Sequence, residues 1–428
     1  MKQSVDTRSS AVTPTRLRSL APSAAGPHRL PAVRSLAPKL APDRFAPRKA
    51  QVLAPDQLGT TYTEDVARNA GLTDGQAFKM MHDMGITVLR LGAYWDQIQA
   101  KGPGQEDFSQ LDRQLALARK YHMKVILTVG MKAPGWPEGH IPSWAMPKDL
   151  KRDHATFLQR SDAWLAQHWG WWAKHGYSSA PGTDLAQNAD LRKHALAYDK
   201  MLVEHVAGDS NIVAFQVENE PGVQFGPVGD YVGANFVKQE AQAIRAADPA
   251  RRPLALNVGI PLSKESEELI KMPEFSLVGL DVYPEPGVSA LGKLRPGTIG
   301  ERSRMVTDPR QAKALVEKSG KQAYVAEMQA EPWNPVEWNA NKSMENFDAQ
   351  RRNGFDVIFP WNVRFVFSQY QRGDKSEFEA WKAMGQDLQA KTPPPPDPHG
   401  SLLARIQDDC KGLVEFFSGN DRGRLLGY

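Results

Sequence analysis

Val213-Ala-Phe-Gln-Val-Glu-Asn-Glu-Pro221 decides how this chain is read. A short apolar run ends abruptly in carboxylates and a proline, which is how a buried strand looks where it meets a polar surface. Gln322-Ala-Tyr-Val-Ala-Glu-Met-Gln-Ala-Glu-Pro-Trp333 repeats the pattern, with Glu327 where the first stretch has Glu220. Working outward, similar runs occur at Leu58–Tyr62, Thr87–Leu91, Val125–Val129, Leu254–Val258, Leu277–Val282 and Asp356–Pro360, which with Ile212–Glu218 and Ala323–Glu327 predict eight strands.

Helical patterns separate several of these runs. Leu111, Leu115 and Ala118 recur at helical spacing after Ser109, whose hydroxyl is expected to cap together with Asp112. Phe236, Val237, Ala241 and Ile244 mark a second helix, which must stop before Asp248-Pro-Ala-Arg-Arg-Pro253. Alternating strand and helix predict an α/β fold with a parallel sheet, and eight strands predict that it closes as a (β/α)8 TIM barrel.

The chain of 428 residues is long enough for such a barrel, which takes about 250 residues or more. Three segments are expected. Residues 1–50 form a disordered basic leader rich in Pro, Ala and Arg, 51–390 the catalytic barrel, and 391–428 a Pro-rich linker and tail with a helix around Leu402–Phe417. Ten Lys and Arg against two Asp give the leader +8, leaving 51–428 at −4 within a net charge of +4. Phe45 is the leader's sole aromatic residue, so stacking on nucleic acid bases is not expected of it.

No apolar run approaches the roughly 20 residues a membrane helix needs. The single Cys410 excludes an intramolecular disulfide, and ten scattered histidines show no metal-ligand spacing, so neither a metal nor an organic cofactor is expected. No h-region follows Lys2, which predicts a cytoplasmic protein, with export by a non-classical route as the other reading. Oligomeric state is not legible.

Two gaps exceed a simple crossover, one after strand three and one after strand six, and such insertions at the top face build substrate clefts. The first holds Trp136, Trp144, Trp164, Trp169, Trp171 and Trp172. Trp136, in a Gly-Trp-Pro loop, reads as a cleft residue suited to stacking on sugar rings, whereas Trp164–Trp172 read as helix packing. Glu138 and His140, in the same loop, read as sugar contacts or loop supports. In a parallel barrel the C-terminal strand ends face the active site, so Glu220 and Glu327 are delivered to one mouth. Two carboxylates so placed suit the cleavage of a glycosidic bond. Glu218 shares the strand face of Glu220 one layer deeper, and Glu331 lies beyond its strand.

On these residues the chain resembles clan A of the glycoside hydrolases, retaining (β/α)8 enzymes, over about residues 55–390. Asn219-Glu220-Pro221 resembles the clan's Asn-Glu signature after strand four, which implies Glu220 as acid/base, and Glu327 occupies the nucleophile's place at the end of strand seven. The resemblance further implies that Arg90 and Tyr283 hydrogen-bond the nucleophile. It also implies that Asn219 binds the sugar 2-hydroxyl and that Trp361 floors the subsite of the reacting sugar. Gly135-Trp-Pro-Glu-Gly-His-Ile-Pro142 and the Glu327 stretch are similar to those of a cellulase-like, β-galactosidase-like bacterial group of the clan. Pro221 stands where the clan's galactosidases commonly carry an aromatic residue. The expected activity is double displacement on β-linked glycosides, with a carboxyl separation of about 5–5.5 Å. A carbohydrate receptor or a transglycosylase would use the same residues.

Overall fold

The computed structural model of the chain describes residues 52–63, 65–135, 138–147, 184–223, 231–284, 308–332 and 338–391. The basic leader, the Pro-rich tail with its expected helix, Trp136 and Trp164–Trp172 lie outside the described residues.

Eight strands follow one another: β1 Gln57–Tyr62, β2 Ile86–Gly92, β3 Lys124–Val129, β4 Ile212–Val217, β5 Leu254–Gly259, β6 Leu277–Val282, β7 Gln322–Gln329 and β8 Val357–Trp361. Each pairs in parallel with the next, and β8 returns to β1, closing the barrel. All eight coincide with expected strands to within two residues at either end. Every strand is followed by a main helix: α1 Asp74–Asp83, α2 Ser109–Lys120, α3 Ala189–His205, α4 Ala234–Ala247, α5 Lys264–Lys271, α6 Pro309–Lys318, α7 Ala340–Arg352 and α8 Ser376–Gln389, with the shorter helices Val66–Asn69, Trp95–Ile98 and Val363–Gln371 preceding α1, α2 and α8. The longest connections lie between β3 and α3 and between β6 and α6, as the sequence gaps require.

Local chemistry explains where the helices start. Thr73 and Gln76 form a reciprocal capping box before α1, the Asn188 side chain accepts the Leu191 N–H before α3, and Asp308 caps α6 with Pro309 in its first turn. The expected Ser109 cap is corrected. Ser109 is the first helical residue of α2, Phe108 at the N-cap position has no capping side chain, and the Asp107 carboxylate takes the Ser109 N–H at 3.0 Å. A carboxylate two residues upstream reaches that donor first.

Two apolar cores result. One fills the space between strands and helices, and the other lies inside the barrel, where Val88, Ile126, Ala214, Ala255, Leu277, Tyr324, Val357 and Phe359 meet. These inner residues come from the lower parts of their strands. Two residues further along, the same inward periodicity brings Arg90, Thr128, Gln216 and Asn257, and Asp281 lies four residues beyond Leu277; all are buried. The barrel interior is thus apolar below and polar above, and the polar layer lies at the C-terminal strand ends.

Candidate active site

Glu327 enters this polar layer through an irregularity in β7. Leu280 pairs with Val325, but the next β6 residue, Asp281, pairs with Glu327, a one-residue slip that sets Glu327 level with Asp281. Its carboxylate accepts hydrogen bonds from Arg90 Nη2 and from the Tyr283 hydroxyl, the latter at 2.5 Å. Arg90 is fully buried, and burial opposes its charge. The Glu327 and Asp281 carboxyls outweigh that and hold its pKa above the usual value. The same Nη2 donates to Asn219 Oδ1 at 3.3 Å, which joins the ends of β2, β4 and β7.

Glu220 sits past the end of β4 in a tightly held turn. Both Glu218 and Glu220 have positive φ, 59° and 41°, a region that side-chain-bearing residues occupy only when their surroundings impose it. Four bonds impose it here. The Glu218 carboxylate accepts the Met131 and Lys132 N–H groups at 2.8 and 2.5 Å, Asn257 Oδ1 accepts the Glu220 N–H at 2.9 Å, and Lys132 Nζ donates to the Glu220 carbonyl at 2.8 Å. Gly130 is required beside this turn, because its φ is 131° and a Cβ there would lie 2.5 Å from the Glu218 carboxyl carbon. Burial pushes the Glu220 carboxyl up to about 7, and the charge of Glu327 pushes the same way. Asp281, Lys132 and Arg90 offset part of the rise.

A third carboxyl faces the pair. Glu138, at φ 63°, places Oε2 3.6 Å from Lys132 Nζ. Burial raises it to about 8, with Glu220 and Glu327 adding to the shift and Lys132 and Asn219 opposing it. His140, from the same loop, is buried. Its Nδ1 lies 3.2 Å from Asp96 Oδ1 and its ring meets Tyr94 edge-on, so its described contacts support the loop and do not reach the carboxyl pair. Trp361, half-buried at the end of β8, stands 5.9 Å from the Arg90 guanidinium, and its indole N–H donates to Glu331 at 3.1 Å. Trp144 packs: its indole N–H donates to the Gln99 carbonyl at 2.6 Å and its ring meets Trp95 edge-on.

Lys132, Asn257 and Asp281 were not singled out from the sequence. Asn257 is a hub, accepting from Glu220 N and Gln216 Nε2, both at 2.9 Å, and donating to Asp281 Oδ2 at 2.8 Å and Asn219 Oδ1 at 3.1 Å. The signal available was a single polar residue interrupting an otherwise apolar strand near its C-terminal end, as in Leu254-Ala-Leu-Asn-Val258 and Leu277-Val-Gly-Leu-Asp-Val282. Among the described residues, no group of three or more His, Cys, Asp or Glu is arranged to hold a metal ion. No described helix is long and apolar enough to cross a membrane.

Residues 73–238 match glycoside hydrolase family 42, described as beta-galactosidase. No curated protein sequence matches the chain. Among solved structures, a cold-adapted β-galactosidase from Rahnella sp. R3 superposes with a TM-score of 0.53 at 13% identity, covering 80% of this chain and 57% of its own. The β-galactosidase of Bacillus circulans sp. alkalophilus gives 0.50 at 13% identity, covering 80% and 57%. A GH5_18 protein of Streptomyces cattleya, solved in complex with GlcNAc, gives 0.53 at 12% identity, covering 80% and 82%. Identities this low speak to the fold, and the chain spans a little over half the length of the two β-galactosidases. By its closed parallel barrel and the match of residues 73–238 to family 42, the chain is similar to the (β/α)8 glycoside hydrolases of clan A.

Proposed function

We propose that the chain hydrolyses β-linked glycosides with retention of configuration, Glu327 acting as nucleophile and Glu220 as acid/base. The observation that carries this reading is the different treatment of two buried carboxyls at one barrel mouth. Glu220 is raised to about 7, which keeps a proton available at neutral pH, while Glu327 is clasped by a guanidinium and a phenol that hold it ready to attack. In the first step Glu327 forms a bond to the anomeric carbon as the glycosidic bond breaks, and the Glu220 proton passes to the leaving oxygen. In the second, water gives a proton to Glu220, its oxygen bonds to the anomeric carbon, and the Glu327 ester is released.

Trp361 supplies an aromatic face beside Arg90 for the reacting sugar, and Asn219, between Arg90 and Asn257, is placed for its 2-hydroxyl. Glu138 is a further candidate for a sugar hydroxyl. The family match favours β-galactosides as first substrates to try. The test is hydrolysis of a panel of nitrophenyl α- and β-glycosides and β-linked oligosaccharides by the native chain and by Glu327→Gly with azide. A cleaved β-glycoside, a dead variant and its rescue as an inverted glycosyl azide are expected. Oligosaccharide binding with no cleavage across the panel would support a receptor instead.

A further inference from the structure

We propose that Lys132 is a positioning residue of the reaction, the link through which the loop after β3 sets the places of both Asn219 and Glu220. The proposal rests on reading Glu220 as the acid/base. Its basis is a series of bonds from one residue to successive residues of the turn after β4. The Lys132 N–H donates to Glu218 Oε2 at 2.5 Å and its carbonyl accepts the Asn219 N–H at 3.1 Å. Its Nζ donates to the carbonyls of Glu220 at 2.8 Å and Val223 at 3.0 Å. The lysine is buried, so its ammonium has left bulk water, and hydrogen bonds to fixed carbonyls are what make such burial tolerable.

Both ends of this link are fixed. The Val223 N–H bonds the Glu220 carbonyl at 2.9 Å, which closes residues 220–223 as a four-residue turn, and the Val232 N–H holds the Pro221 carbonyl at 3.0 Å. The ammonium bridges the first and last carbonyls of that turn, so the peptide group after Glu220 cannot rotate without breaking a charged hydrogen bond. On the loop side, Lys132 pairs with Gly139 in an isolated antiparallel bridge. The Ala133 N–H donates to the Glu138 carbonyl at 2.9 Å, the His140 N–H to the Met131 carbonyl at 2.8 Å, and the Tyr94 hydroxyl to the Pro134 carbonyl at 3.0 Å. The loop carrying Glu138 and His140 is thereby registered against the turn carrying Asn219 and Glu220, and a shift of one must move the other. The charged groups acting on Glu220 are Glu327 on β7, Asp281 on β6, Arg90 on β2, and Lys132 and Glu138 after β3. Lys132 opposes the rise of the Glu220 pKa, so its removal changes charge as well as place.

The experiment compares the full native chain with Lys132→Met, which keeps the aliphatic stem and removes the ammonium. Thermal unfolding verifies that the variant folds. On a nitrophenyl glycoside that the native chain cleaves, kcat is expected to fall by about ten- to a hundredfold, the loss that a misplacement near 1 Å explains, while KM changes by less than about threefold. The alkaline limb of kcat/KM should move to higher pH, because a cation that favoured the Glu220 carboxylate is gone. A folded variant with native kcat and a native alkaline limb overturns the proposal. So does a rise in KM with kcat unchanged, which would make Lys132 a binding residue. Nitrogen-15 lysine in the native chain supplies a measurement that needs no variant. An ammonium held by two buried carbonyls should exchange its protons with water far more slowly than surface lysines do, and a Lys132 ammonium exchanging as fast as they do overturns the proposal. The amide signals of Asn219, Glu220 and Val223 need no turnover. A chain that cleaves no glycoside, yet shows those signals displaced in Lys132→Met, removes the hydrolase reading and leaves the link between loop and turn standing.

Discussion

Neutralising Glu327 should lower the pKa of Glu220. Burial is the largest cause of the rise of Glu220 to about 7, and the charge of Glu327 is the next. At the 5–5.5 Å separation of a retaining pair, two unit charges repel by about 3 kcal/mol at an effective dielectric of 20 and by under ~1 kcal/mol in a water-like medium. These limits correspond to roughly 0.5 to 2 pKa units. Glu327→Gln keeps the shape of the site and its burial, so Glu220 should fall to between about 5 and 6.5 and stop above its ordinary value. Arg90, no longer matched by Glu327, pulls in the same direction. The assay is carbon-13 titration of labelled glutamate in the native chain, in Glu327→Gln, and in native chain trapped as a 2-fluoroglycosyl ester on Glu327. Variant and trapped enzyme should agree, because both lack the negative charge. A Glu220 pKa that stays near 7 in both would refute the coupling and with it the proposed use of Glu220 as acid and then as base.

Gly259→Ala would set a Cβ 2.8 Å from Glu220 Oε1, so the carboxyl must turn away. Because that oxygen is the end of a flexible side chain, thermal stability should change little while kcat falls by about tenfold or more, a loss that a misplacement near 1 Å explains; an unchanged kcat with intact folding would show the carboxyl free to move. Glu377→Gln tests a carboxyl far from the mouth in sequence. Burial raises Glu377 to about 7, although Ser343 donates to it at 2.9 Å. An acid whose folded pKa lies above its unfolded one binds more protons when folded, so its stabilising contribution is present below the unfolded value and is lost as pH rises through about 7. The variant should therefore gain stability relative to the native chain, by about 3 kcal/mol between pH 4.5 and 8 in urea unfolding. A difference independent of pH would show that Glu377 is not titrating there.

The barrel was legible because a strand covered on both faces must be apolar along its whole length, and eight such runs stand between turn and helix signals in this chain. Glu220 and Glu327 could be placed at one mouth for the same reason, since each ends or follows one of those runs, and the resemblance to clan A added Arg90, Asn219 and Tyr283, which the structure joins to them by hydrogen bonds. What the sequence withheld depends on register and on hydrogen bonds between elements distant along the chain. The slip in β7 that sets Glu327 beside Asp281 leaves no compositional trace, since both registers bury apolar neighbours. Lys132 lies in a loop, and only the turn after β4, held by Glu218, carries the Glu220 carbonyl to its ammonium group. Ser109 failed as a cap because Asp107 was nearer to the donor.

The polar residues inside the strands carry more information than the apolar ones once the barrel is known. An inward-facing position low in a strand is filled by Val88, Ile126 or Ala255, and the next inward position up by Arg90, Thr128 or Asn257; in β6 Asp281 comes two inward positions above Leu277. A buried polar group is costly unless paired, so a ring of such groups at one level persists only if its members satisfy one another. Asn257 shows how: with two donors and one acceptor oxygen it engages Gln216, Asn219, Glu220 and Asp281 at once. The ring therefore does two things with the same bonds. It seals the top of the apolar core, and it fixes the backbone of Glu220 in a conformation that its own φ preference would reject. Removing a member should then loosen the position of Glu220 before it loosens the barrel, because the apolar layer beneath is continuous without it.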